Sequence, residues 1–169
     1  FVAAWASQGQ DGSGYGVYAR LSTAAGKPAG QEFLVNTHTV GDQTTPSIAG
    51  LKDGSFVIAW ASSGQDGFGY GISAQRFTAA GKRTGTEFRV NAPMADDQSL
   101  PSVAALPAGG FVVAWMSNGQ DVSGNGIYAR LYDTAGKPAT QEFPVSTTAV
   151  NTQSKPVLTS LNDGSFVVA

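Results

Sequence analysis

The chain repeats itself every 55 residues, and this periodicity constrains the fold more than any other feature. Trp5, Trp60 and Trp115 keep the step. So do Asp11, Asp66 and Asp121, Gly26, Gly81 and Gly136, and Pro46, Pro101 and Pro156. The pairs Glu32-Phe33, Glu87-Phe88 and Glu142-Phe143 follow the same interval, and no insertion or deletion breaks the register. A unit of this length supplies one supersecondary structure, which must bury its apolar faces against its neighbours. The chain is read as a single repeat domain over 1–169, with units at approximately 1–45 (partial), 46–100, 101–155 and 156–169 (partial).

Each unit reads as four short strands. In the unit around Trp60, Pro46 to Lys52 forms the first strand, with Pro at its start where no ladder donor is needed. Asp53-Gly54 is a two-residue hairpin signal between apolar runs. Ser55 to Trp60 is the second strand, apolar at consecutive positions and therefore expected to be buried on both faces. Gly69 to Phe77 is the third strand, Thr78 to Gly85 turns the chain, and Glu87 to Asn91 is a short outer strand. In that last strand Phe88 and Val90 alternate with Glu87, Arg89 and Asn91. No window shows a helical period.

Four antiparallel strands per unit, with apolar inner strands and a polar outer one, describe an all-β array of β-propeller-like blades. A β-sandwich or a β-solenoid is the alternative. Three periods account for all but four residues, and that surplus, Phe166 to Ala169, repeats Phe1 to Ala4. Propellers have about four to eight blades, so three are not expected to close by themselves. Further repeats of the same protein, or a second copy completing a ring, are the expected partners.

Composition removes other classes. The formal charge is −2, with no basic patch for nucleic acid and no basic amphipathic stretch for a membrane surface. No apolar run reaches the roughly 20 residues of a spanning helix. The absence of cysteine excludes disulfides, thiolate metal sites and cysteine nucleophiles. At 41% hydrophobic residues the chain can bury a core.

In a four-stranded meander the turns alternate between the two ends of the sheet. The "GQDGSGYG" loop at Gly9 to Gly16 therefore lies at the same end as the crossovers Val40 to Pro46, Ala95 to Pro101 and Val150 to Pro156. Asp66 is expected to approach Asp42 and Gln43, which lead into its own unit, and Asp121 to approach Asp96, Asp97 and Gln98. Carboxylates, amides and glycine carbonyls at one end suit a hard cation, since calcium takes about six to eight oxygens. Asp11, Asp42, Asp66, Asp96, Asp97 and Asp121 are thus the candidate metal ligands. The competing reading is an Asx-type turn in which each Asp accepts amides of its own loop. The third copy departs from the pattern: Val122 replaces Gly12 and Gly67, and Thr152 replaces Asp42 and Asp97.

A sugar site would combine Gln10, Asp11 and Tyr15 in one unit, Gln65, Asp66 and Tyr70 in the next, and Gln120 and Asp121 in the third. The competing role for the tyrosines is packing at the start of a strand. Glu32, Glu87 and Glu142 recur one per unit, whereas glycoside hydrolysis needs two carboxylates converging within about 5–10 Å. No nucleophile elbow and no phosphate loop is present, so no catalytic residue is assigned.

The stretch "DGSFVIAWASSGQDGFGYGISAQRFTAAGKRTGTEFRVN", with "DDQSLPSVAAL", resembles a repeat of very large secreted or surface-attached bacterial proteins. The resemblance covers all three copies and rests most on the Gly-Gln-Asp loop and the Glu-Phe-x-Val pair. It implies β-propeller blades, an extracellular or cell-surface location, and an adhesive or scaffolding role. Such repeats often accompany haemolysin-type calcium-binding nonapeptides, but the nonapeptide pattern is missing here, so calcium binding does not carry over from it. The expected function is a non-catalytic structural or adhesive module that displays the same loop face at each blade. Calcium is its candidate cofactor and glycans are candidate partners. A lectin with one site per blade, or a propeller domain of a larger enzyme, is the alternative.

Overall fold

The computed structural model describes residues 1–65, 67–92, 96–121, 124–147 and 151–169, apart from the side chain of residue 121. Among these residues the fold is all-β: thirteen strands in four antiparallel sheets, none closed on itself. The first sheet holds β1 (Val2–Gln8), β2 (Tyr15–Leu21) and β3 (Phe33–Leu34). The second is a four-stranded meander of β4 (Gln43–Gly50), β5 (Phe56–Ser63), β6 (Tyr70–Phe77) and β7 (Arg83–Arg89). The third repeats it with β8 (Gln98–Ala105), β9 (Phe111–Asp121), β10 (Gly124–Tyr132) and β11 (Phe143–Pro144). The fourth pairs β12 (Leu158–Ser160) with β13 (Phe166–Val168).

Register repeats along with sequence. Trp5 stands opposite Tyr18, Trp60 opposite Ser73 and Trp115 opposite Tyr128. The apolar run of β5 is buried on both faces because a sheet lies against each. Phe56, Ile58 and Trp60 meet Val17, Ala19 and Val35 of the first sheet. Val57, Ala59 and Ala61 meet Val103, Phe111, Val113 and Trp115 of the third. The other face of the third sheet, with Val112, Ala114 and Ala129, packs on Leu158, Phe166 and Val168. Each fully buried large side chain contributes about 1.5–3 kcal/mol, so this face-to-face stacking supplies most of the driving force.

The first strand of each full unit starts three residues before the expected proline. Pro46 and Pro101 sit instead inside β4 and β8, where the register slips between Thr44 and Ser47 and between Ser99 and Ser102. A bulge suits proline because the extra residue has no ladder partner. The residue before each proline has positive φ: Thr45 at 49°, Leu100 at 52° and Lys155 at 55°. The fourth strand also differs from its expected span. It runs Arg83–Arg89 in the second sheet but covers two residues in the first and third. The cause is again proline. Arg83 pairs with Phe77, whereas its counterparts Pro28 and Pro138 have no N–H to donate and form only isolated bridges.

Candidate functional site

The recurring loops and the crossovers do meet at one end of each sheet, and the first copy shows why its glycines are spaced as they are. Gly9 and Gly12 hold φ of 72° and 94°, which favours glycine. Gly14 and Gly16 are needed for space: a Cβ at Gly14 would overlap Asp42 Oδ1 and the Gly41 carbonyl, and one at Gly16 would meet Asp11 Oδ2 at 2.5 Å. In the second copy Gly69 stands against Asp97 in the same way. The alternating glycines thus let carboxylates lie flat on the loop backbone.

The carboxylates of Asp11, Asp42 and Asp97 are already engaged by protein donors. Asp11 Oδ1 accepts the Ser13 amide at 3.3 Å, an Asx-type turn, and its Oδ2 receives Asn36 Nδ2 at 3.5 Å. Asp42 Oδ1 accepts the Tyr15 amide at 3.0 Å, and Asp97 Oδ1 accepts the Tyr70 amide at 2.8 Å. Through Oδ1 these side chains therefore reach the loop of the preceding sheet, and Asp42 also reaches the following sheet through its Oδ2, which accepts the Tyr70 hydroxyl. The backbone does the opposite, since the Asp42 and Asp97 carbonyls accept Ser63 and Asn118 amides of the sheet that follows. Asp96 lies against Gly119, and its carbonyl accepts Gln98 Nε2 at 2.6 Å. Asp66 and the side chain of Asp121 lie outside the described residues, so their expected approaches are not placed. Among the described residues no three His, Asp or Glu gather as a metal-ligand group.

The sugar candidates have similar commitments. Gln10, Gln65 and Gln120 donate to Glu32, Glu87 and Glu142 respectively, the last two at 2.6 and 2.7 Å. The same glutamates tie sheets together: Glu87 Oε2 accepts the Thr37 amide and hydroxyl, and Glu142 Oε2 accepts the Ala92 amide. Tyr15 is exposed, while Tyr70 is half-buried and gives its hydroxyl to Asp42 Oδ2 at 3.4 Å. Burial, then the charge and hydrogen bond of Asp42, then the charge of Asp97, raise the Tyr70 phenol above its ordinary pKa. Burial first, then Asp11 and Glu32, raise that of Tyr18. In the third copy the strand β9 itself runs through Gly119 and Gln120 to Asp121. Gly12 and Gly67 hold φ of 94° and 89°, a conformation that disfavours the β-branched residue found at position 122.

The centre of this end is a polar core that the alternation of the outer strand conceals. Asn36 is fully buried, accepts the Val17 amide at 2.8 Å, and donates to the His38 carbonyl and to Gln43 Oε1 at 3.1 Å. Asn91 does the same with the Ile72 amide at 2.8 Å and Gln98 Oε1 at 2.9 Å. The signal was available as Asn at one position and Gln seven residues later in both units. The third copy has Ser146 and Gln153, 3.4 Å apart.

No family model and no curated protein matches the chain. An endo-arabinase from Bacteroides thetaiotaomicron is similar at 17% identity and a TM-score of 0.46, over 75% of this chain and 50% of that one. A protein of unknown function from Dyadobacter fermentans is similar at 11% identity and a TM-score of 0.38, over 91% of this chain and 64% of that one. The chain spans less than two thirds of both structures.

Proposed function

We propose that this chain is a structural repeat module, a propeller-like array whose recurring acidic residues hold successive sheets together. One observation carries the reading: Glu87 and Glu142 each bind a backbone amide of the preceding unit, and Asp42 and Asp97, just before β4 and β8, each bind a loop amide of the preceding sheet. A carboxylate accepting an amide makes a charge-assisted bond stronger than a neutral one, and here it satisfies amides at the starts of β2 and β6 and in the crossovers at Thr37 and Ala92. Repetition of these bonds, together with Ser47 and Ser102 accepting amides of the next sheet, favours stacked blades over a sandwich. The surface-protein setting, and the multivalent adhesion that equal loop faces would allow, rest on the resemblance of the repeats. Calcium competes for the same oxygens.

Thermal melting in EDTA and in millimolar calcium decides between the two roles for the carboxylates. The amide-clasp role predicts the same Tm in both. A calcium-dependent rise in Tm that disappears in Asp42→Asn would overturn it, because the neutral amide keeps the acceptor oxygen but loses the ion ligand.

A further inference from the structure

The junction between the second and third sheets departs from the one before it by two exchanges, and together they open a groove. Arg76 stands where the other units have Leu21 and Leu131, which pack on apolar clusters. Pro138 stands where the second unit has Arg83. At the first junction Arg83 lies across the outer strand of the preceding sheet. Its Nη2 donates to the Leu34, Val35 and Asn36 carbonyls at 2.7, 3.2 and 3.3 Å. The neighbouring turn closes on the same sheet, since a Cβ at Gly81 would meet both Leu21 and Phe33 at 3.3 Å. At the second junction the proline ring cannot reach across, and the three atoms nearest a Cβ at Gly136 all belong to Arg76. The space left between β7 and the turn at 135–138 is a groove of ≈ 470 Å³, with Arg76, Thr84, Thr86, Phe88, Gly136 and Lys137 in its lining. That size falls within the roughly 300–1,000 Å³ of small-molecule sites.

The groove is cationic, and no Asp or Glu lines it. Arg76 is half-buried and spends Nη2 on the Thr134 carbonyl at 3.0 Å. Its Nε is buried without a hydrogen-bond partner, and Nη1 has none among the described residues. The Lys137 ammonium likewise has none there; only the backbone of that residue is held, by Asp133. Asp53 feels the Arg76 charge from a neighbouring cleft, but its Oδ1 is already taken by Ser55. A half-buried guanidinium with an unpartnered N–H is a costly replacement for leucine. Its charge, beside that of Lys137, offers charge-assisted hydrogen bonds to an anion. Phe88, tilted against Tyr132 at 5.4 Å, adds an apolar wall. Arg89 lines the groove too but already interacts within the protein, so an anion's contacts fall to Arg76 and Lys137.

We propose that this groove binds a small ring-bearing carboxylate, its oxygens accepting from Arg76 Nη1 and the Lys137 ammonium and its ring resting on Phe88. The proposal is independent of the amide-clasp role, because none of the clasping carboxylates lines the groove. The test is an amide NMR titration of the full chain with benzoate and glucuronate, set against benzyl alcohol and glucose as neutral counterparts. Saturable shifts centred on residues 76, 84–88 and 135–137 are expected for the carboxylates only. Arg76→Leu should weaken binding about tenfold to a hundredfold, the range of a charged hydrogen bond. The same variant should keep or raise Tm, because leucine fills this position at Leu21 and Leu131. Lys137→Gln, on the exposed rim, should weaken binding about twofold to fivefold. Absence of saturable shifts with both carboxylates, shifts centred away from the groove, equal binding of the neutral counterparts, or unchanged affinity in Arg76→Leu would overturn the proposal.

Discussion

Replacing Asn91 by alanine should be among the most destabilising polar substitutions in the chain. The side chain is 3% exposed and satisfies the Ile72 amide and Gln98 Oε1, in residues that are themselves fully buried. Alanine would strand both groups. Each stranded buried group costs about 1–3 kcal/mol, so the loss should be about 2–6 kcal/mol, a large part of the roughly 5–15 kcal/mol that holds a domain folded. Asn91→Ser should cost about half as much, on the order of 1–3 kcal/mol. A serine there can still meet the glutamine oxygen, as Ser146 meets Gln153 at 3.4 Å, while the Ile72 amide stays stranded. Urea unfolding measures this as a shift in midpoint at constant slope. A cycle through Gln98→Leu should show coupling, the double variant losing about 1–3 kcal/mol less than the sum because one stranded group is shared. A loss below about 0.5 kcal/mol, the level of ordinary surface changes, or strict additivity with Gln98→Leu, would refute the assignment of Asn91 as the bridge between strand and crossover.

Gly14→Ala should destabilise more than Gly69→Ala in the same unfolding experiment. At Gly14 the new methyl meets the Gly41 backbone at 2.7 Å as well as Asp42, whereas at Gly69 it meets only the Asp97 side chain, which can turn away. Equal losses would show that the carboxylate contact alone sets the glycine requirement. Alkaline titration should expose Tyr132, whose phenol burial pushes up to about 12 against the opposing pull of Arg130. The neutral phenol is favoured in the fold, so its contribution is complete below the ordinary value near 10 and is lost as pH climbs through about 12. The total is roughly 2–3 kcal/mol. Tyr132→Phe keeps the ring stacked on Phe111 at 4.7 Å and should flatten stability between these pH values. An unchanged slope in that variant would exclude Tyr132 as the source.

The 55-residue step, the doubly buried second strand and the gathering of loops and crossovers at one end were legible because each is written in local chemistry. Apolar run length, Asp-Gly turns and proline positions carry them. Asp53 and Asp163 behave as such turns do: the hydroxyls of Ser55 and Ser165 first, and then their amides, hold both carboxyls below the ordinary range. What could not be read was partnership across sheets. Asn91 alternates with Phe88 and Val90 as an outward residue should, yet it is buried, because the crossover folds back over it with Gln98. The Asp42 carboxylate bridges the loop of the first sheet, through the Tyr15 amide, and the second sheet, through the Tyr70 hydroxyl, a bridge that no linear spacing encodes. Ser73 and Arg89 are likewise sixteen positions apart and become neighbours only through the register of β6 and β7.

The third copy separates what the repeated residues do from what they could be thought to bind. It has Thr152 in place of the clasping Asp and Val122 in place of a loop glycine, yet Trp115 still faces Tyr128, the register slipping only between Gly124 and Asn125. There the Gln153 amide reaches the Asn125 carbonyl at 2.9 Å, so a backbone bond joins the crossover to the preceding loop. A ligand site common to every unit would need the same donors in every unit, and the third has Thr152 where the others have Asp42 and Asp97. On the proposed reading the Asp42 and Asp97 carboxylates are reinforcement that the third unit forgoes while it keeps Glu142 on the Ala92 amide.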